Sequence, residues 1–340
     1  MNLRDAKFKD FALVQEMLQT PQVMRQFDFA YGQDAAQIIR NTGKLLLTGE
    51  GSSRIFPAKN LIYEALKLGA SLSVFAEGGR QAREYNLAEF AVFGASNSGK
   101  TTEVVSLFSE LAAQGHPRRF GLTAHRHTNL EAVSSKCYLL NCGREEATAA
   151  TKSVVEQALF YRSLLCPLES GECVMLKNQQ AACQRAQEVL EADLDPAIVE
   201  SIAQAPVVYF AGRNNGVAEE LALKANEITR KKSDYLEGTY AVHGIEEVMA
   251  PDEVVLAINP FPADVEKFKK VLVDGVGLKV IAVAAEETIF PTIRIPKVEG
   301  YQSVLELLAG WNLLVHVGVA LGINLDKAQR ARKIGYEVVG

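Results

Sequence analysis

The chain has 340 residues, 36 basic against 41 acidic, for a net charge of −5, and that length leaves room for about two domains. With 48% hydrophobic and 23% charged residues it is an ordinary globular composition, which excludes a disordered or fibrous chain. The mild acidity and the lack of a basic stripe give no reason to expect nucleic acid, although one local site is enough for a small anion.

Residues 1–40 read as helix, with Phe11, Val14, Met17 and Leu18 at helical spacing. Lys44–Thr48 is a short apolar strand that ends on Gly49-Glu-Gly51, followed by Ser52-Ser53 and a helix through Ile62–Leu68. A second strand is expected at Ser71–Phe75. A third, Phe90–Phe93, runs through Gly94 and Ser96-Asn97-Ser98-Gly99 into a helix over Thr101–Ala113. Arg119–Thr123 and Tyr138–Asn141 are further strands. Residues 151–200 are helical and polar. The pattern then restarts: strand Pro206–Phe210, turn Gly212-Arg-Asn-Asn-Gly216, helix Ala218–Glu227, strands Val254–Ile258 and Val280–Ala284, and a long apolar helix at Ser303–Leu321.

Alternating strands and helices predict parallel sheets with helices on both faces. The restart predicts an internal duplication of a doubly wound α/β unit. No apolar run approaches the ~18 residues that would span a bilayer, and the opening Met1–Asp10 is too charged for a signal-peptide core. The cysteines Cys137, Cys142, Cys166, Cys173 and Cys183 are odd in number and have no metal-ligand spacing. Reduced, mostly buried thiols in a cytoplasmic protein, with no metal, are therefore expected.

Ligands of such sheets bind beyond the carboxyl ends of the strands, and the turns there carry the chemistry. Gly94-Ala-Ser-Asn-Ser-Gly99-Lys100-Thr101 matches the phosphate-binding pattern G-x-x-x-x-G-K-[ST] between a strand and a helix. Free N–H groups at a helix start attract anions. A nucleotide hydrolase also needs an acidic residue ending an apolar strand to hold Mg²⁺. The strands end instead in Ala124, Asn141, Gly212 and Asn259, and Val271–Asp274 reads as the end of a helix. The same residues suit a sugar phosphate better: Ser96, Ser98 and Thr101 offer hydroxyls around one helix start, and Ser52 and Ser53 offer two from the first turn. Helix capping alone would account for one such turn; two in the same half favour a ligand.

These segments resemble the sugar isomerase (SIS) family, and the chain is similar to the isomerase half of glucosamine-6-phosphate synthase and to ketose/aldose isomerases and amino-sugar deaminases. Gly49-Glu-Gly-Ser-Ser53 resembles that family's G-x-G-[ST]-S turn, and Ser96-Asn-Ser-Gly-Lys-Thr101 its phosphate loop. Gly143-Arg-Glu-Glu-Ala-Thr-Ala-Ala-Thr-Lys152 resembles its G-x-E-x-x-V-A-[ST]-T-K segment. Ala222-Leu-Lys-Ala-Asn-Glu227 resembles its A-L-K-L-K-E helix, Val242-His243-Gly244 its H-G-P motif, and Arg330-Ala-Arg-Lys333 its C-terminal lysine tail. Lys100, Thr148, Ala150, Ile245 and Tyr240 depart from the family pattern.

The resemblance implies two SIS domains, at 41–165 and 201–325, with a helical segment at 1–40, a helical connection at 166–200 and a tail at 326–340 over the active site. It implies a phosphosugar isomerase, or a deaminase or deglycase, that moves a proton between C1 and C2 of a sugar 6-phosphate without a cofactor. Glu227 is then the base, His243 the group that opens the sugar ring from the neighbouring subunit of a homodimer, and Lys333 the tail lysine at the open-chain carbonyl. Ser52, Ser53, Ser96, Asn97, Ser98, Thr101 and Thr148 would hold the phosphate and sugar, with Glu145 at sugar hydroxyls and Lys224 beside the base. The competing reading is a sugar-phosphate sensor without turnover.

Overall fold

The computed structural model describes residues 1–330. The chain divides into two compact units. One holds Gln22–Glu145 and Ala150–Gln179; the other holds Met1–Pro21, Glu146–Ala149 and Gln180–Gln329. We call them the N-terminal and C-terminal units after their sheets.

In the N-terminal unit, β1 (Lys44–Thr48), β2 (Ser73–Glu77), β3 (Ala91–Ala95), β4 (Arg119–Thr123) and β5 (Lys136–Leu139) form a parallel sheet in the order β2-β1-β3-β4-β5. Leu45, Leu46 and Leu47 of β1 and all five residues of β3 are buried, as expected of strands covered on both faces. On one face Leu46 and Val92 pack with Val104, Leu107 and Phe108 of the helix Thr102–Ala113. On the other, Phe93 stacks on Phe120 with centroids 4.9 Å apart, and Tyr138 lies 4.9 Å from Phe160 of the helix Lys152–Ser163. Every residue of that helix is buried, because it is sandwiched between the sheet and the helix Ile55–Leu68. Burial of each large apolar side chain here contributes about 1.5–3 kcal/mol.

The C-terminal unit repeats this strand order. Its strands β6 (Val207–Gly212), β7 (Lys232–Glu237), β8 (Val254–Ile258), β9 (Lys279–Ala284) and β10 (Thr292–Arg294) lie parallel in the order β10-β9-β8-β6-β7. Tyr209, Val255, Val280 and Ala282 pack with Phe268 and Leu272. The helix Gln302–Ala320 packs against Pro196–Gln204 and Val217–Lys224. A Cβ on Gly310 would lie 2.3 Å from Leu221 Cδ2, so this glycine permits the close crossing. This helix has 19 residues and is long and apolar enough to cross a membrane, contrary to the expectation that no run approaches that length. In the molecule 83% of its apolar window is buried, which makes it the central helix of the unit's core.

Strands β2, β5, β7 and β10 differ from expectation. β2 lies two residues later and β5 two residues earlier than expected, and β7 and β10 were not expected at all. All four are edges. β7 alternates exposed and half-buried residues up to Leu236, which is buried, and its sequence Lys-Ser-Asp-Tyr-Leu-Glu is too polar to read as a buried strand. The cysteines also need correcting. Cys166 and Cys173 form a disulfide across a sequence separation of 7, brought together by the short turn Cys166–Leu168. Their ligand atoms and the Glu169 carboxylate lie within 4.8 Å of one another, a grouping their spacing did not suggest. Cys142 and Cys183 are buried free thiols, and Cys137 is half-buried and free.

Candidate functional site

The strand order places the first two hydroxyl-bearing turns. From β1 the chain goes to β2 on one side and to β3 on the other, so the carboxyl ends of β1 and β3 flank a topological switch point. Gly49 follows β1, and a Cβ there would lie 2.8 Å from the Ser53 carbonyl oxygen and 3.1 Å from that of Ala95. The two turns approach each other that closely only because residue 49 lacks a side chain. Ser52 is buried and Ser53 half-buried, on the turn Gly51–Ser53. The Gln157 amide donates to the Ser53 carbonyl and fixes that turn to the buried helix.

The turn after β3 closes on its own hydroxyls. Ser96 Oγ lies 2.8 Å from Thr101 Oγ1 and 3.5 Å from Ser98 Oγ. The Thr101 N–H donates to Ser96 Oγ at 3.4 Å, and the Lys100 N–H to Ser98 Oγ at 3.2 Å. Gly99 has φ +65°, and a Cβ there would lie 2.3 Å from Thr128 Cβ. The helix Thr102–Ala113 starts at once, and its amide end favours negative charge. Ser96, Ser98 and Thr101 are thus gathered at one helix start. Lys100 is exposed. Asp274 sits on the helical segment Lys269–Val276, paired with Lys269 at 2.8 Å. Two acidic residues do end strands, Glu77 on β2 and Glu237 on β7, and both are edge strands.

Asn97 faces the protein: its amide nitrogen donates to Glu145 Oε2 at 3.0 Å and to Ser153 Oγ at 3.3 Å. Glu145 is buried. Its Oε1 accepts from the Thr151 N–H at 2.8 Å, Thr151 Oγ1 at 3.0 Å and the Ser153 N–H at 3.3 Å; its Oε2 also accepts from Ser153 Oγ at 2.5 Å. Both oxygens are engaged by protein groups, so Glu145 pins the start of the helix Lys152–Ser163 and holds Asn97. Beside it, the Glu156 carboxylate accepts from the Asn141 and Cys142 N–H groups at 2.8 and 2.6 Å. Burial pushes the Glu156 carboxyl and the Cys142 thiol up.

Thr148 belongs to the C-terminal unit, where its Oγ1 donates to the Asp326 carbonyl at 3.0 Å. The Asp326 carboxylate in turn accepts from the Ala12 and Leu13 N–H groups. Glu16, which is buried, accepts from the N–H groups of Glu146 and Ala147. Sequence reading found neither Glu16 nor Asp326, because their partners are backbone amides far away in the chain.

In the same unit the helix Val217–Lys224 widens into a π-turn at Ala225–Thr229, which carries Glu227. Such wide turns recur at functional sites. Lys224 Nζ lies 2.7 Å from Glu227 Oε2 and 3.4 Å from Glu220 Oε1. The side chains of Lys224 and Glu220 are fully buried, while that of Glu227 is 27% exposed. One buried ammonium therefore bridges a buried carboxylate and one that reaches solvent. His243 is exposed, after the turn Tyr240–Val242, with Nε2 3.1 Å from Lys267 Nζ. Sequence reading missed Glu220 and Lys267 as companions of Glu227 and His243. The i, i+4 spacing of Glu220 and Lys224 was the available signal for the first. Lys333 lies outside the described residues.

No protein-family model and no curated protein matches the chain. Solved structures do. The C-terminal domain of glucosamine-fructose-6-phosphate aminotransferase from Francisella tularensis superposes with a TM-score of 0.78 at 16% identity, over 94% of this chain and 98% of that one. Tagatose-6-phosphate ketose/aldose isomerase from Escherichia coli gives 0.76 at 17% identity, over 96% and 99%. Glucosamine-6-phosphate deaminase from Thermotoga maritima gives 0.68 at 17% identity, over 95% and 98%. The chain shares their fold, two five-stranded parallel sheets with helices on both faces.

Proposed function

We propose that the chain is a sugar-phosphate enzyme of the SIS type, an aldose/ketose isomerase or an amino-sugar-phosphate deaminase or deglycase. The observation that carries this reading is the turn Ser96–Thr101 at the switch point, with three hydroxyls and a helix start turned to one place. Hydroxyls and backbone amides hold a phosphate monoester without a metal. In this reading Ser52, Ser53, Ser96, Ser98 and Thr101 bind the phosphate, and Asn97, held by Glu145, shapes the turn. In this reading 41–165 and 201–325 are the two SIS domains, with residues 146–149 of the first packed into the C-terminal unit.

Glu227 takes the proton from C1 or C2 and returns it to the neighbouring carbon through an enediol. General acid–base help of this kind contributes roughly 10²–10⁴ in rate. Lys224 orients the carboxylate through their 2.7 Å ion pair. His243 protonates the ring oxygen and opens the sugar. The Lys267 ammonium faces its Nε2 and so assigns the proton of the neutral ring to Nδ1. The exposure of His243 suits service in the partner's site of a homodimer, and Lys333 meets the open-chain carbonyl. The protein acts in the cytoplasm on a sugar 6-phosphate.

The test is proton exchange. Wild type and Glu227→Gln are incubated in D₂O with fructose 6-phosphate, glucosamine 6-phosphate and tagatose 6-phosphate, and deuterium at C1 and C2 and amine release are followed by NMR. Uptake in wild type that is abolished in the variant is the expected result. No uptake with any sugar, while the sugars still raise the melting temperature, leaves a sensor.

A further inference from the structure

The loop 166–173, between the buried helix Lys152–Ser163 and the helix Val174–Glu191, has no part in the chemistry above. It gathers three side chains that ligate metals. Cys166 Sγ, Cys173 Sγ and a Glu169 carboxylate oxygen lie within 4.8 Å of one another. Glu169 Oε2 accepts from the Val174 N–H at 2.7 Å, while its Oε1 has no partner among the described residues. The carboxylate is thus held by one oxygen and offers the other. Cys166 and Glu169 are half-buried and Cys173 is buried, whereas Pro167, Ser170, Gly171 and Glu172 are exposed, so the group borders solvent.

The local charge suits a cation. No basic residue lies between Arg162 and Lys177, and both Glu169 and Glu172 fall in the loop. Two thiolates would add to that negative charge. Two sulfurs and a carboxylate oxygen are a ligand set for zinc, which takes three protein ligands and leaves a fourth place to water. The metal needs deprotonated sulfur, and Cys173 stands at the start of an 18-residue helix, where a thiolate is favoured. At present the disulfide occupies both sulfurs. Zinc bonds of ~2.3 Å at tetrahedral angles would hold the sulfurs ~3.7 Å apart, so the S–S bond has to break and the loop has to widen. Little resists that. Among the described residues no hydrogen bond of the loop reaches beyond Leu165 and Lys177. A Cβ on Gly171 would meet nothing within 4 Å.

We infer that Cys166, Glu169 and Cys173 form a redox-gated site for a thiophilic divalent cation, with zinc as the ion that fits the ligand set. A dithiol reductant gives the disulfide two electrons and two protons and itself becomes a disulfide. The two thiols then release two protons to water as the metal binds. The oxidised loop excludes the ion and the reduced loop takes it up. The site stands apart from the sugar-phosphate reading and does not depend on it.

The test uses the full chain, oxidised or reduced with a phosphine, and Co²⁺ and Zn²⁺ as probes. Thiol titration in denaturant should count all five cysteines in the reduced chain and the three free ones in the oxidised chain. Reduced wild type should bind Co²⁺ with a thiolate-to-cobalt charge-transfer band that an equivalent of Zn²⁺ bleaches, and the oxidised chain should show no band. Cys166→Ser should lose the band. Glu169→Gln keeps both thiols and should bind Zn²⁺ at least ~10-fold more weakly, since losing a direct ligand costs no less than losing an outer partner. Any of four results overturns the site: a count that stays at three under reductant, no band in reduced wild type, a band of full strength in the oxidised chain or in Cys166→Ser, or equal Zn²⁺ affinity in Glu169→Gln and wild type.

Discussion

Gly99 and Gly115 form a natural controlled pair in the N-terminal unit. Both have positive φ, +65° and +70°. A Cβ on Gly115 meets nothing within 4 Å, whereas a Cβ on Gly99 lies 2.3 Å from Thr128 Cβ and 2.4 Å from its Oγ1. Thr128 cannot swing away freely, because its hydroxyl caps the helix Asn129–Val133 through the Glu131 N–H. The left-handed backbone alone costs an alanine about 1–2 kcal/mol, and this is the whole effect expected for Gly115→Ala. Overpacking adds about 1–3 kcal/mol, so Gly99→Ala is expected to lose roughly 2–5 kcal/mol. The assay is urea unfolding followed by far-UV circular dichroism, with Trp311 fluorescence as an internal control, since the chain's one tryptophan lies in the C-terminal unit. Gly99→Ala should also abolish the stabilisation of the protein by inorganic phosphate, which Gly115→Ala should keep. Equal losses for the two variants would refute the argument that Thr128 limits the turn.

Other consequences are open to direct measurement. Glu145→Gln puts an amide where a carboxylate accepts only donors, and it should cost about 2–4 kcal/mol in urea unfolding, since hydrogen bonds to charged groups contribute ~1.5–3 kcal/mol. Lys224→Met strands the buried Glu220 carboxylate and should cost about 3–5 kcal/mol; the double variant with Glu220→Gln should recover most of it, and no recovery would show that the charge is not the cause. Burial lowers the pKa of His116, whose Nε2 faces the Leu87 carbonyl at 2.9 Å. The unfolded chain therefore takes up a proton first as pH falls below about 6.5, so His116 costs stability progressively on acidification from there toward its lower folded pKa. Urea midpoints at pH 7.5 and 5.5 should differ less in His116→Gln than in wild type.

The interior strands were legible in the sequence because a strand buried on both faces has to be a continuous apolar run, as Leu45–Leu47 and Val254–Ile258 are. The edges β7 and β10 were not, because they pair on one side only and carry polar residues, whereas the edges β2 and β5 were read two residues off. The same contrast holds at the candidate site. Ser96, Ser98 and Thr101 were readable because the residues that meet are neighbours in the chain. Glu145 was readable as a residue of interest, but its work on Asn97, Thr151 and Ser153 depends on how the turn after β3 meets the start of a buried helix. The Cys166–Cys173 pairing and the apolar helix Gln302–Ala320 show the limit of spacing and composition. The first needed a turn geometry, and the second needed the sheet and helices that bury it.

The most direct test of the sugar-phosphate account is a crystal structure of the full chain soaked with fructose 6-phosphate. The account predicts the phosphate on the hydroxyls and amides of Ser96–Thr101, with the Ser52-Ser53 turn beside it. A phosphate bound at the Gly212–Gly216 turn of the other sheet instead, or a Ser96–Thr101 turn left without phosphate at saturating ligand, would contradict it.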